Sequence, residues 1–381
     1  MPDDGTPGKI IEEADRTVIG MAGTDGPTTS DQVHLLVRQE GDGGRQHIEL
    51  GEQPVTLGRS PAADVLLQDT QVSKLHCQVR LVGREACVTD LGSTNGTLIE
   101  GRRLAGEALL PVGARLRVGG FTFVHELRFR REVAKARELE NDLRKAREYV
   151  EALLPPPRRE PPMRTHWCFV PCSILGGDAF GYHRLDDDRH AIYLLDVCGH
   201  GAGAAMHSVA AINVLRQHGL PGVDFSRPDE VLGALNKAYD MDQHGGMYFT
   251  AWYGVYDRAA RRLTYASAGH PPALLVGPDH REARPLQTRS LPVGTAPGLR
   301  YTTLETPVAP GSRLYLFSDG VYEIVTREGR EWSLAGFQEI ILRGSPDAGG
   351  DEAARLRRAV EDVSGSTEFA DDFSLLVAEL D

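Results

Sequence analysis

Residues 127–154 contain neither glycine nor proline, and this stretch divides the chain more firmly than any other feature of the sequence. With nothing to break it, the segment can run as one helix of about 42 Å at 1.5 Å per residue. A heptad frame puts Phe129, Ala136, Leu143 and Val150 at a, and Glu132, Leu139, Ala146 and Leu153 at d. That mostly apolar seam predicts a short parallel coiled coil pairing two copies of the chain, with Glu132 weakening its first heptad. A solvated spacer helix is the alternative. Pro155-Pro156-Pro157 then stops the helix. Such a helix has to separate two bodies, and the aromatic residues partition accordingly. Of 25 aromatics none precedes Phe121, only Phe121, Phe123, Phe129 and Tyr149 precede Leu154, and 21 follow. A length of 381 residues leaves room for about two and a half domains.

The charge balance narrows the function classes. Lys and Arg total 42 against 54 Asp and Glu, a net charge of −12. That excludes a general nucleic-acid binder, which needs a basic face, but it suits hard cations. No run approaches the ~18 apolar residues of a membrane span, so no membrane partner is expected. The acidic start Met1-Pro2-Asp3-Asp4 lacks the apolar core of an export signal, and a cytoplasmic location is expected. Cys77, Cys87, Cys168, Cys172 and Cys198 are odd in number and irregularly spaced, so no disulfide framework is expected. Cys168 and Cys172 read as buried thiols rather than half a zinc site.

Residues 1–32 read as a disordered acidic tail, with seven acids against Lys9 and Arg16. Phosphorylation at Thr17, Thr28 or Thr29 would give this tail a phosphothreonine of its own. Residues 33–126 read as many short strands with turn residues every 8–12 positions, the pattern of a β-sandwich. From 155 to 381 strands and helices alternate, and short connections around Tyr248–Val276 imply antiparallel pairing in an α+β domain.

Four short elements of the front region fall on connections between strands: Gly58-Arg59-Ser60, Ser73-Lys74-Leu75-His76, Asp90-Leu-Gly-Ser-Thr-Asn-Gly-Thr97 and Gly101-Arg102-Arg103. Arg59 offers a planar fork to two phosphate oxygens. Ser73 can donate its hydroxyl and its N–H, and Thr94 and Asn95 sit in a tight turn. His76 reads as a core histidine tying loops together. In this order the elements resemble the forkhead-associated (FHA) domain. The resemblance implies an all-β sandwich in which Arg59, Ser73, Lys74, Thr94 and Asn95 bind a phosphothreonine-containing protein, made by an upstream Ser/Thr kinase. Lys74 stands where the family commonly has arginine.

The back region places aspartates at the ends of apolar strands. Asp178 follows Gly176-Gly177; Asp196 follows Ile192-Tyr-Leu-Leu195; Asp319 follows Leu314-Tyr-Leu-Phe-Ser318; Asp371 and Asp372 precede Phe373-Ser-Leu-Leu-Val377. A carboxylate at the end of a buried strand is costly unless paired or metal-bound. Four of them together would repel one another and any phosphate, whereas two divalent cations would cancel the charge and arm a water. All-oxygen ligation favours Mg²⁺ or Mn²⁺ over zinc.

The full series of Gly-Gly-Asp178, Asp196-x-x-Gly-His-Gly, Tyr248-Phe-Thr250, Ala268-Gly-His-Pro-Pro272, Leu291-Pro-Val-Gly294, Ser318-Asp-Gly and Asp371-Asp372 resembles the metal-dependent protein phosphatases of the PPM family, in the sporulation stage II protein E-like branch. The resemblance implies a four-layer αββα domain over 155–381, two Mn²⁺ or Mg²⁺ ions, and hydrolysis of phosphoserine or phosphothreonine on a regulatory protein such as an anti-sigma-factor antagonist. It carries metal ligation to Asp178, Asp196, the Val197 carbonyl, Asp319 and Asp371. Asp372 would orient ligands or hold water, His200 would protonate the leaving oxygen or shape its loop, and His270 reads as structural. Two positions depart from the branch pattern: Gly181 replaces a second acid, and Cys198 replaces a serine. A non-enzymatic phosphothreonine adaptor and a hydrolase of small phosphate esters are the competing readings.

Overall fold

A computed structural model describes residues 31–39, 45–344 and 350–381. The acidic segment 1–30, with Thr17, Thr28 and Thr29, lies outside the described residues. The chain divides into two compact units, the first ending at Lys135 and the second beginning at Ala136.

The first unit holds β1 (Gln32–Gln39), β2 (Arg45–Leu50), β3 (Val55–Gly58), β4 (Val65–Leu66), β5 (Cys77–Val82), β6 (Glu85–Asp90), β7 (Thr97–Ile99), β8 (Arg102–Arg103), β9 (Glu107–Leu110), β10 (Arg115–Val118) and β11 (Phe121–Phe129). They form two sheets, ordered β2-β1-β11-β10-β7-β8 and β4-β3-β5-β6-β9. Leu36, Leu57, Val79, Val88, Leu116 and Phe123 are fully buried in one cluster that draws on both sheets. Two boundaries differ from the sequence reading. Gln32 already pairs with Phe129, so β1 takes the last residue assigned to the tail and β11 runs three residues past 126. The reason is that β1 supplies ladder partners for Leu127, Arg128 and Phe129. The expected first a position, Phe129, is therefore a strand residue.

A helix, α1 (Arg130–Leu153), follows directly. Its first turn is anchored by Val133, which packs with Val33, Leu35 and Val37 on the face of β1 opposite Leu36. Further along, Leu139 is 60% exposed while Leu143 and Val150 are half-buried.

The second unit holds β12 (Met163–Val170), β13 (Asp178–Arg184), β14 (Arg189–Val197), α2 (Ala202–Arg216), α3 (Pro228–Ala238), β15 (Phe249–Asp257), β16 (Arg262–Ala268), β17 (Ala273–Val276), β18 (Ala283–Leu286), β19 (Leu304–Pro307), β20 (Ser312–Phe317), α4 (Leu334–Leu342), α5 (Glu352–Ser364) and β21 (Phe373–Leu380). Two five-stranded antiparallel sheets result, ordered β12-β21-β20-β17-β18 and β13-β14-β15-β16-β19.

Side-chain parity explains the packing. Alternate residues of a strand face opposite ways. On β14, Ile192 and Leu194 join a cluster with Leu314 and Leu316 of β20 and Leu376 and Ala378 of β21. Ala191, Tyr193 and Leu195 instead join Ile212 of α2 and Leu232 of α3. Tyr315, Phe317, Leu375 and Val377 pack with Phe337 of α4 and Leu356 of α5. Both faces of the central strands are buried, which is why they read as continuous apolar runs.

Candidate active site and phosphopeptide face

The same parity aims the carboxylates. Asp196 continues the even series Ile192 and Leu194, and Asp178 continues Phe180 and Tyr182, all on the side of the cluster shared by the two sheets. Asp178 and Asp196 are direct cross-strand neighbours in the β13–β14 ladder. From the other sheet, β20 delivers Asp319 and β21 is preceded by Asp371 and Asp372. Ser318 ties these two ends together: its N–H donates to the Ser374 carbonyl at 3.1 Å and its Oγ to the Asp372 carbonyl at 2.9 Å. Gly320 is glycine because the Asp372 carbonyl occupies the space a Cβ would need.

Asp196 is the acid that feels the others. Burial pushes the Asp196 carboxyl up to about 7, and the charges of Asp319, Asp371 and Asp372 add to the shift. Asp178 is 1% exposed; burial raises it well above the usual carboxylate range, helped by Asp196 and Asp372. Asp319 is raised by burial, then by Asp371 and Glu323. Both Asp178 carboxylate oxygens are buried without a hydrogen bond of good geometry, and the nearby Ser318 and Ser374 hydroxyls offset only part of the upward shift. Unpaired buried carboxylate oxygens facing further carboxylates are a destabilising arrangement that a divalent cation resolves. The donor set therefore fits a hard cation. The Val197 carbonyl lies against the turn that precedes Asp178: a Cβ on Gly177 would come within 2.8 Å of that oxygen, so only glycine lets the Gly-Gly turn approach.

Asp372 plays a different part from Asp371. Its Oδ1 accepts the Cys172 N–H at 2.8 Å, and its Oδ2 accepts the N–H groups of Gly177 at 2.6 Å and Asp178 at 3.2 Å. It is a strap holding the turn that presents Asp178. Cys172, Asp371 and Asp372 each bring one ligand-type atom within 4.8 Å of the others. The Cys172 thiol, however, is pushed up to about 12, chiefly by burial and then by Asp372, so it stays protonated and is a poor ligand.

His200 is exposed on the loop leaving Asp196, between Gly199 and Gly201, which both have positive φ. Cys198 Sγ accepts the Tyr248 N–H at 3.4 Å, which places it in loop packing. His270 is 2% exposed, its Nδ1 paired with Thr250 Oγ1 at 2.8 Å, and burial lowers it to about 3. Gly181 lies opposite Tyr193 in the ladder, and a Cβ there would come within 2.6 Å of the Tyr193 ring. The ring fills the room that a second acid would take.

In the first unit the expected phosphate-reading residues also converge. The Arg59 N–H donates to the Ser73 carbonyl at 2.9 Å and its Nε to the Val72 carbonyl at 3.1 Å, which leaves its terminal nitrogens on an exposed side chain. Ser73 Oγ accepts the Thr94 N–H at 3.0 Å, and Asn95 Nδ2 donates to the Gln71 carbonyl at 2.8 Å. Lys74 is exposed beside Ser73. His76 is fully buried and its Nδ1 accepts the Ser73 N–H at 3.1 Å, so it ties loops as expected.

The sequence reading gave Asp90 no role. Its carboxylate accepts from the N–H of Gly92, Ser93 and Thr97 and from the hydroxyls of Ser93 and Thr97. Burial works to raise its pKa, but these hydrogen bonds win and hold it at about 2. An acid followed at two, three and seven positions by turn and hydroxyl residues was the available signal.

Comparison with known proteins agrees with both halves. The FHA domain model matches residues 55–119. FhaB of Mycolicibacterium smegmatis is 38% identical over 84 residues, covering 22% of this chain and 54% of that protein. Phosphoserine phosphatase RsbP of Bacillus subtilis is 31% identical over 155 residues, covering 40% of this chain and 38% of that protein, so the chain spans well under half of that relative. The solved SiaA-PP2C domain of Pseudomonas aeruginosa superimposes with a TM-score of 0.56 at 21% identity, covering 65% of this chain and 99% of that one, which shows a PP2C-like fold. The model for stage II sporulation protein E matches residues 186–381, more than half of the sequence, with the paired sheets and clustered aspartates inside or beside it. An FHA domain thus precedes a PP2C-like domain, and the chain belongs to the stage II sporulation protein E (SpoIIE) family.

Proposed function

We propose that the second unit is a metal-dependent serine/threonine protein phosphatase and that the FHA domain recruits it to a phosphothreonine-containing protein. The observation carrying the reading is the buried Asp178 carboxylate, crowded by Asp196 and Asp372, with Asp196 in turn facing Asp319 and Asp371. Asp178, Asp196, the Val197 carbonyl, Asp319 and Asp371 would hold two Mn²⁺ or Mg²⁺ ions. Bound there, such ions supply neutralising charge for an incoming phosphate and acidify an attacking water. Asp372 keeps the Gly176-Gly177 turn in place through its three N–H bonds. His200, exposed on its loop, gives a proton to the departing serine or threonine oxygen as the P–O bond breaks. The products are inorganic phosphate and the free hydroxyl.

The substrate we propose is a phosphoserine or phosphothreonine on a regulatory protein, such as an anti-sigma-factor antagonist, in keeping with the phosphoserine phosphatase activity named for RsbP. A Ser/Thr kinase would write both the recruiting mark and the substrate mark. We assign 33–126 to the FHA domain, with strand pairing to Phe129, and 155–381 to the phosphatase in αββα layering. The intervening helix pairs two copies through Leu139, Leu143, Ala146 and Val150, a seam that is exposed or half-buried in the single chain. Among the described residues no helix is long and apolar enough to cross a membrane.

Chelator-sensitive, Mn²⁺-restored release of phosphate from a phosphoprotein, abolished in Asp319→Ala, is the test. Activity persisting in that variant overturns the site assignment, and absence of any Mn²⁺-dependent release favours the adaptor reading.

A further inference from the structure

The four aspartates proposed to hold metal come from two different sheets. Asp178 and Asp196 belong to β13 and β14 of one; Asp319 follows β20 and Asp371 precedes β21 of the other. Hydrogen-bond ladders run within each sheet, so something else has to set the gap across which the two pairs face each other. The chain crosses from the first sheet to the second between β16 and β17, at Gly269-His270-Pro271-Pro272. On β16, Leu263 and Tyr265 face the other sheet, while Ala266 and Ala268 face the helices. Continued alternation would send His270 to the helix side. Gly269 turns the chain instead: its φ is +67°, and a Cβ there would come within 2.7 Å of the Pro292 ring. Gly269 also pairs with Ala251 in a parallel bridge, which brings the next residue alongside Thr250.

The His270 imidazole is 2% exposed, and each of its nitrogens meets a different sheet. Nδ1 lies 2.8 Å from Thr250 Oγ1. Thr250 is the ladder partner of Asp196 and shares the inward series of Trp252, and direct cross-strand partners point the same way. Nε2 is buried and faces the Phe317 carbonyl, two residues before Asp319, without reaching good hydrogen-bond geometry. Continued in register, the β17–β20 ladder sets Pro272 opposite Phe317, and proline has no N–H to offer that carbonyl. Burial keeps the ring neutral. A carbonyl can only accept, so Nε2 carries the ring proton and Nδ1 takes the hydrogen of the Thr250 hydroxyl. The His270 carbonyl is in turn held by Gln287 Nε2 at 3.0 Å.

We propose that His270 is a positioning residue of the metal centre: braced between Thr250 and the Phe317 carbonyl, its ring sets the distance at which Asp178 and Asp196 face Asp319 and Asp371. The proposal rests on the phosphatase reading and adds to it the group that matches the two halves of the cage to each other. The ring touches neither ion nor phosphate; it acts through β15 and β20. A rigid, uncharged ring suits this task, because it fixes a spacing without adding charge beside the carboxylates. Groups that orient ligands from behind in this way change metal affinity by about 10- to 100-fold when removed.

The test uses the full chain. Thr250→Val removes the hydroxyl at nearly constant volume, and Thr250→Ser keeps it. Mn²⁺ affinity is read by titration calorimetry. Spacing is read by electron paramagnetic resonance of the Mn²⁺-loaded protein, in which two ions about 3.5–4 Å apart couple. Thr250→Val should weaken Mn²⁺ binding about tenfold and replace the coupled signal by that of separate ions, while Thr250→Ser stays close to wild type. His270→Leu should match Thr250→Val, and combining the two should add little, as two ends of one brace require. If His270→Leu does not fold, the Thr250 pair decides the case. A merely structural role would lower the melting temperature of the chelated protein and leave affinity and coupling as in wild type; that result overturns the proposal. So does Thr250→Ser failing as Thr250→Val does. Wild type that binds no Mn²⁺ and releases no phosphate from a phosphoserine peptide overturns the phosphatase reading, and this proposal with it.

Discussion

Two aspartates, one in each unit, show how differently the halves treat a buried carboxylate. Asp90 of the FHA unit is partly buried, yet five donors meet its carboxylate and hold its pKa at about 2. Asp178 of the second unit is fully buried, its carboxylate oxygens make no hydrogen bond of good geometry, and burial raises its pKa despite the nearby Ser318 and Ser374 hydroxyls. The first acid is spent on shape: it freezes the turn that presents Thr94 and Asn95. The second is left in want of a cation. A reader of phosphate needs satisfied scaffolding under cationic and hydroxyl groups, whereas a phosphate-cleaving centre needs concentrated, uncompensated negative charge that an ion can complete.

Substituting each acid by its amide should separate the two cases most sharply. Asp178→Asn should reduce Mn²⁺-dependent phosphate release by at least about 10³-fold, because a lost ion interaction is worth several kcal/mol. At pH above the raised Asp178 pKa, the same change should raise the melting temperature of the chelated protein, since it removes a buried charge crowded by other carboxylates. Asp90→Asn should do the reverse, leaving turnover of p-nitrophenyl phosphate intact and destabilising the FHA unit by about 2 kcal/mol through donors left facing an amide N–H. Calorimetry of both variants checks the signs, and parallel shifts in the same direction would remove the contrast.

Arg59→Ala comes next in size. Loss of a charge-assisted fork should weaken phosphothreonine-peptide binding by about 10- to 100-fold, measured by titration calorimetry, with p-nitrophenyl phosphate turnover unchanged.

A smaller effect follows from pH. The folded Asp196 pKa of about 7 lies above its ordinary 3.8, so its stabilising contribution is full below 3.8 and is lost as pH rises through about 7. In chelator the transition of the second unit should therefore move to lower temperature across that window, and Mn²⁺ should restore it. Asp90, depressed to about 2, contributes above 3.8 and loses its contribution only as pH falls through about 2. The FHA transition should stay level where the other moves. A second-unit transition indifferent to pH in chelator would mean that the acids are farther apart than described.

The two units were also unequally legible. Strands buried on both faces, β14, β20 and β21, stood out in the sequence because each carries an apolar run (191–195, 314–317 and 375–378) with an aspartate close to its end or start. Strands such as β2, with Gln46, His47 and Glu49, and β18, with Arg284 and Pro285, were not foreseen, since edge pairing leaves a face free to be polar. β13 was missed for another reason: Gly181 interrupts its pattern, and only the facing Tyr193 ring explains the glycine. The ligand-type aspartates could be picked out from their positions at strand ends. The strap role of Asp372 could not, because it depends on N–H groups about 200 residues away in sequence, and hydrogen bonds over such separations leave no local pattern.

The smallest effect concerns the FHA unit alone. Lys74 is exposed beside Ser73 on the loop between β4 and β5, and Ser73 Oγ meets the Thr94 N–H of the next phosphate-reading loop the sequence leads one to expect. An ammonium meets phosphate as a point charge, while a guanidinium can present two parallel N–H donors to two oxygens. Lys74→Arg keeps the charge and adds one directed hydrogen bond, so affinity for a phosphothreonine peptide should tighten by about two- to fivefold. Asp178, by contrast, leaves no room for such refinement, because it is fully buried among other carboxylates. If Lys74→Arg leaves the affinity unchanged while Arg59→Ala abolishes it, the phosphate is held on the Arg59 side of the loop, and Lys74 contributes only to the surrounding field.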